Sequence, residues 1–132
     1  MIKVDFNKCG GLVPAIIQDA RTKSVLMLGY MNQEALKRTL ELKRVTFFSR
    51  DRQKLWTKGE ESGHFLHLRS IACDCDRDTL LVLALPEGPT CHLGTTSCFN
   101  ASPQPDATVR RLNKMREGDL SAESLSESYP KS

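Results

Sequence analysis

Apolar and polar positions change rhythm several times along this chain. Residues 13–19 and 25–30 are apolar runs separated by the polar stretch Ala20, Arg21, Thr22, Lys23 and Ser24, a pattern that predicts a β-hairpin. Asn32 follows, a residue type that caps helices by accepting a backbone N–H, and predicts a helix running to Leu42. Ala35, Leu36, Leu40 and Leu42 form its approximate apolar stripe. Residues 45–48 are β-branched and aromatic and predict a strand; residues 55–57 begin another. Residues 65–73 alternate, with Leu66, Leu68 and Ser70 on one face and Phe65, His67, Arg69 and Ile71 on the other. Residues 79–85 read as a buried strand, closed by the turn Pro86, Glu87, Gly88, Pro89. Asp106 is placed to cap a second helix over 107–117, with Val109, Leu112 and Met115 inward and Gly118 as its stop. Beyond it Ser and Glu dominate and apolar residues are few, which predicts disorder. The expected architecture is mainly β with two helices, α+β-like. It comprises a domain over 1–118 and a flexible tail over 119–132.

The 132 residues suit one domain with a modest core. A net charge of +3, one Trp and two Tyr give no case for a nucleic-acid partner. The longest apolar run, 79–85, is too short to span a membrane, so no membrane partner is expected. The start, Met1-Ile2-Lys3-Val4-Asp5, has an early acid and no apolar core, unlike a secretory signal. Five cysteines, an odd number without an export signal, point to a reducing cytoplasm and to ligands rather than disulfides.

Three of those cysteines carry the chemistry. Cys75 lies within Asp74-Cys75-Asp76-Arg77-Asp78; Cys91 and Cys98 are separated by six residues that include Gly94, which lets the backbone fold back. Thiolates suit zinc, and three protein ligands would leave a fourth position for water, as in a catalytic site. Cys73 is placed to be a fourth ligand, which would close the site and make it structural; free cysteines are also common simply as small buried residues. Cys75 must come from elsewhere in the fold or from another subunit, and Cys9 stands alone as a packing residue.

Asp74, Asp76 and Asp78 offer hard oxygen ligands for magnesium or calcium. Their spacing matches the start of an EF-hand loop. However, the sixth position is Thr79 and the twelfth Leu85, not glycine and glutamate, so an EF-hand is excluded. An exposed acidic turn is the plain alternative. A straight strand would put Cys75 on the face opposite the acids, so the segment must turn or bulge for both sets to serve one site. His92, beside Cys91, can bind zinc or act as a general base near neutral pH. His64 and His67 have weaker claims. Lys58-Gly59-Glu60-Glu61-Ser62-Gly63 can cradle phosphate or be a simple hairpin turn; it lacks the order of a Walker A loop. Arg50, Arg52 and Lys54 add positive charge before it.

These residues together resemble the phosphoribosyl-AMP cyclohydrolase family from about Gly11 to Phe99. The matching pieces are Met27-Leu28-Gly29-Tyr30-Met31-Asn32, Phe48-Ser49-Arg50, Leu55-Trp56-Thr57-Lys58-Gly59-Glu60, Ser62-Gly63, Asp74 to Asp78, Gly88-Pro89-Thr90-Cys91-His92 and Ser97-Cys98-Phe99. The resemblance implies hydrolytic opening of the adenine ring of N1-(5-phosphoribosyl)-AMP between N1 and C6, the third step of histidine biosynthesis. It implies a β-rich pseudobarrel in an intertwined homodimer. One zinc per subunit would be held by Cys75 of one chain with Cys91 and Cys98 of the other, and magnesium by Asp74, Asp76 and Asp78. On this reading His92 is the general base and Glu60 a second acid/base group. Arg50, Lys58 and Ser62 contact the phosphate of a small phosphoribosyl nucleotide.

Leu93 and Asp51 depart from the usual residues of the family at their positions, and neither is a proposed ligand. The family also occurs fused to a pyrophosphohydrolase domain, for which 132 residues leave no room. That implies a monofunctional protein or the first half of a fusion. The signature of nucleobase deaminases, H-x-E with P-C-x-x-C, is absent. A non-enzymatic zinc module would need Cys73 or His92 as its fourth ligand.

Overall fold

In the computed structural model, which describes residues 2–99, β1 (Val13–Asp19) buries every second residue: Val13, Ala15, Ile17 and Asp19. It forms the expected hairpin with β2 (Val25–Met31), with a bulge between Ile17 and Gln18. Asn32 then caps α1 (Gln33–Leu42), its side-chain oxygen accepting the Ala35 N–H at 2.8 Å. β3 (Thr46–Ser49) and β4 (Lys54–Thr57) form a separate two-stranded antiparallel ribbon. β5 (Leu66–Cys73) and β6 (Leu80–Pro86) complete a four-stranded sheet in the order β2-β1-β6-β5. β1 and β6, the strands with neighbours on both sides, run parallel.

The core lies on one side of the sheet. Val13, Ala15 and Ile17 from β1 and Leu80, Val82 and Ala84 from β6 pack there with Leu26, Met31, Ala35, Leu36, Val45 and Phe47. Each fully buried large side chain contributes about 1.5–3 kcal/mol relative to exposure. The helix stripe differs from the sequence expectation. Leu40 and Leu42 are exposed, and Thr39 is fully buried in their place. Its hydroxyl donates to the Ala35 carbonyl at 2.8 Å and accepts the Thr46 N–H at 2.9 Å, tying α1 to the first residue of β3. A polar residue can occupy this core position because both roles of its hydroxyl are filled.

The alternation in β5 also differs. A bulge between Leu68 and Ser70 shifts the register, so Ile71 pairs with Val82 and Cys73 with Leu80. Ile71 and Cys73 therefore join Leu66 and Leu68 against the core. The described residues contain one α-helix. The second expected helix, the domain boundary at 118 and the tail lie outside them. A single chain forms an open sheet plus a ribbon rather than a closed pseudobarrel. The other sheet face is apolar but uncovered: Ile16 is flanked in register by Leu28 and Leu81, which are 43% and 39% exposed.

The hairpin turn carries a buried charge. Asp19 is 3% exposed. Burial would raise its pKa. The N–H groups of Arg21 and Thr22, at 2.8 and 3.3 Å, and the Arg21 guanidinium outweigh this and hold it below the usual carboxylate value. A carboxylate with a depressed folded pKa stabilises the fold above its unfolded value and loses that contribution as pH falls through the folded one. Asp19→Ala is expected to cost about 1–3 kcal/mol near neutrality. It should also flatten the acid limb of a stability-versus-pH curve, measured by urea melts from pH 7 down to 3. An unchanged acid limb would show that Asp19 carries none of it.

Candidate functional site

The loop after β6 is folded by its own backbone. The Cys91 N–H donates to the Thr95 carbonyl at 3.1 Å and the Gly94 N–H to the Cys91 carbonyl at 2.9 Å. Gly94 takes φ +90, the left-handed region where glycine is favoured, as its place between two cysteines led one to expect. The far end is pinned to the start of β2: the Cys98 N–H donates to the Leu26 carbonyl at 2.8 Å and the Ser97 hydroxyl to the Val25 carbonyl at 2.7 Å. These bonds bring the Cys91 and Cys98 thiols close enough for each to influence the other's ionisation.

The two thiols differ in character. Cys91 is held below the usual thiol value, chiefly by the Leu93 backbone N–H, then by the Thr95 hydroxyl, with help from Cys98 and the Lys58 charge. Burial pushes Cys98 up, and the neighbouring Cys91 adds to this. A thiol biased towards thiolate is the form that acts as a nucleophile or a metal ligand.

Cys91 forms part of the wall of a cavity of about 510 Å³, with Trp56, Lys58, Ser62, Thr90 and His92 among its lining residues. Glu60 lines it too; its carboxylate accepts the Thr57 N–H at 3.2 Å and closes the turn. The Ser62 hydroxyl accepts the His64 N–H at 3.2 Å. Arg50 lies elsewhere, its guanidinium carbon 3.9 Å from the centre of the Tyr30 ring, while Arg52 lines the cavity. Thr90 is buried, and its hydroxyl has no hydrogen-bond partner among the described residues, an uncommon state for a buried polar atom.

Asp74, Asp76 and Asp78 do come together, with carboxylate oxygens within 4.8 Å of one another. The segment turns, as a common site required: the Arg77 N–H donates to the Asp74 carbonyl at 3.1 Å, and Arg77 takes φ 62. Backbone N–H groups of Asp78 and Thr79 donate to the Asp74 carboxylate at 3.1 and 3.2 Å. The Asp78 N–H is the larger influence holding Asp74 below the usual carboxylate value. Lys8, which the sequence reading passed over, bonds the Asp76 carbonyl at 2.9 Å and pairs with Asp78 at 3.4 Å.

Cys75 is exposed in this turn. Among the described residues, the three aspartates are the only set of three or more Cys, His, Asp or Glu close enough to share an ion. Neither Cys75 nor His92 therefore completes a set of three with Cys91 and Cys98 within one chain. Cys73 packs against the core at the end of β5. Trp56 and Thr90 are among the lining residues for which sequence reasoning gave no role; their signal was present only in the family-like pieces that contain them.

The Cys91 thiol on the wall of a cavity that also carries Lys58, Arg52, Glu60 and His92 is an arrangement of candidate active-site residues, and a carboxylate cluster lies elsewhere on the β scaffold. The chain belongs to the phosphoribosyl-AMP cyclohydrolase family, whose model matches residues 27–100. It is 53% identical over 115 residues to the histidine biosynthesis bifunctional protein HisIE of Vibrio cholerae serotype O1, covering 87% of this chain and 55% of that protein. It is 65% identical over 97 residues to the bifunctional protein HisIE of Escherichia coli strain K12, covering 74% of this chain and 48% of that one. The HisIE protein of Staphylococcus epidermidis is 62% identical over 98 residues, covering 74% and 46% respectively. The chain thus spans about half the length of the curated relatives it matches. Among the described residues no helix is long and apolar enough to cross a membrane.

Proposed function

We propose that this chain hydrolyses N1-(5-phosphoribosyl)-AMP, opening the adenine ring between N1 and C6 to give the formimino-aminoimidazole carboxamide ribotide. This is the third step of histidine biosynthesis, carried out in the cytoplasm. The observation that carries the reading is Cys91, a thiol biased towards thiolate, on the wall of a cavity that also holds His92 and Lys58, with Cys98 beside it.

The donor set fits zinc: two adjoining thiols with backbone support, and a third cysteine, Cys75, exposed for use by another chain. Zinc held there would supply the Lewis acidity that makes water a nucleophile near neutral pH. His92 takes the proton of the attacking water. The oxygen bonds to C6, the N1–C6 bond breaks, and N1 receives a proton, with His92 or Glu60 as donor. Lys58, Ser62 and Arg52 serve the phosphates, and Arg50, stacked on Tyr30, has a weaker claim than its position in the sequence suggested. The Asp74, Asp76 and Asp78 cluster offers the hard oxygens that magnesium prefers.

Two observations support the homodimer. Cys75 does not join the other two cysteines in one chain, and the sheet leaves Leu28, Ile16 and Leu81 in an uncovered apolar row. Two open sheets meeting through such rows would complete the pseudobarrel and bring Cys75 of one chain to Cys91 and Cys98 of the other. Absorbance-monitored assays with N1-(5-phosphoribosyl)-AMP and with AMP test the reaction. The first should be consumed and the second left intact; loss of neither, from folded and zinc-loaded protein, would refute the proposed reaction.

A further inference from the structure

The cavity wall carries the only tryptophan in the chain. Trp56 stands on β4 directly opposite Phe47 on β3, and the two rings pack at 5.2 Å between centroids with a 38° tilt. Phe47 is 1% exposed, so it cannot swing away. It is held from behind by β2, where it lies over Gly29: a Cβ added at Gly29 would lie 2.4 Å from a carbon of the Phe47 ring. Gly29, Phe47 and Trp56 therefore form a packed series from the sheet to the cavity, and the absence of a side chain at Gly29 sets its depth. Trp56 is only half-buried. Two residues further along the chain, just past the end of β4, the Lys58 ammonium lies 5.9 Å from the centre of the Trp56 ring. Lys58 and Arg52 line the same cavity.

From this geometry we infer that Trp56 is the platform on which the substrate's purine ring stacks, and that Gly29 and Phe47 are the positioning residues that hold the platform. A large flat π-surface on the wall of a pocket that also offers the Lys58 and Arg52 cations suits a planar heterocycle joined to a phosphate. Base stacking tolerates differences in ring substituents because it uses the face rather than the edges. The edges of the ring are thereby left to the chemistry. The inference rests on the proposed cyclohydrolase reading for the identity of the ring, but the stacking itself can be read without turnover.

The test uses the full chain and adenosine 5′-monophosphate as the probe. Binding should quench the emission of Trp56 saturably, since no other tryptophan contributes. Trp56→Leu should raise the KM for phosphoribosyl-AMP roughly ten- to a hundredfold, the range expected for one lost base–aromatic stack, with a smaller change in kcat. Trp56→Phe should recover most of that loss, which a purely structural role would not predict if both variants melt at similar temperatures. Gly29→Ala should shift the emission maximum of Trp56 in the ligand-free protein, reporting the displaced ring. Unchanged emission on adding the nucleotide, together with an unaltered KM in Trp56→Leu, would overturn the inference and leave the cyclohydrolase reading standing. Quenching without turnover of phosphoribosyl-AMP by wild-type protein would do the reverse. Should Trp56→Leu fail to fold, wild-type quenching and the KM of Trp56→Phe decide the matter.

Discussion

Cys91→Ser is expected to leave the protein unable to retain zinc and to lower phosphoribosyl-AMP turnover by more than about a hundredfold, since disturbing even the groups behind a metal's ligands costs 10–100-fold. The substitution is nearly isosteric, so the loop should keep its shape. Its backbone bonds, Cys91 to Thr95 and Gly94 to Cys91, do not involve the thiol. What disappears is the acidic thiol that the Leu93 N–H and Thr95 hydroxyl stabilise as thiolate. A serine hydroxyl in the same place stays protonated near neutral pH and is a poor ligand for a borderline-soft ion. Zinc content by atomic absorption after gel filtration reads the first effect, and initial rates read the second. Cys73→Ser supplies the contrast: Cys73 packs against the core, so zinc and turnover should be retained with some loss of stability. Loss of zinc from Cys73→Ser with retention in Cys91→Ser would place the site elsewhere.

Mixing two inactive variants should restore activity. Cys75→Ser and Cys91→Ser are each expected to be inactive alone. In the proposed dimer, where each site would draw Cys75 from one chain and Cys91 from the other, a mixed dimer would have one site with both substitutions and one wild-type site. Random re-association of equal amounts gives half mixed dimers, each with one good site of two, so about one quarter of wild-type activity should return. The expectation rests on the proposed shared site, which is supported by the failure of Cys75 to join Cys91 and Cys98 as a set of three among the described residues. If the third ligand came instead from the same chain by a loop movement, every chain in the mixture would carry a broken site and nothing would return.

The parts of the fold that were legible depend on local physics. The β1–β2 hairpin followed from two apolar runs about a short polar stretch, and the start of α1 from the capping chemistry of Asn32. The parallel pairing of β1 with β6 was not legible, because partners so distant in sequence leave no local pattern. The side of Ile71 was misread because a bulge at Arg69 breaks a strict two-residue period, and a bulge has no reliable signature in composition. Thr39 was missed because its burial depends on the Thr46 N–H reaching it from another element.

The candidate site divides in the same way. The closeness of Cys91 to Cys98, and the turn that gathers three aspartates, follow from short spacing and flexible positions, and both were anticipated. The choice of Arg52 over Arg50 at the cavity depends on the turn between β3 and β4, where Gln53 takes φ 52 and Arg50 stacks on Tyr30. No single-residue property announces which side of a short ribbon faces a cavity. The separation of Cys75 from Cys91 and Cys98 is a non-local property too, and only the spatial arrangement makes it visible.

The central claim is that a zinc held by these cysteines drives the ring-opening reaction. It is tested most directly by titrating zinc into chelator-stripped protein while following phosphoribosyl-AMP turnover. The account predicts no turnover from the stripped protein and recovery that saturates at about one zinc per chain, the stoichiometry of one three-cysteine site for each subunit. Full turnover from protein shown to be folded and free of metal would contradict it.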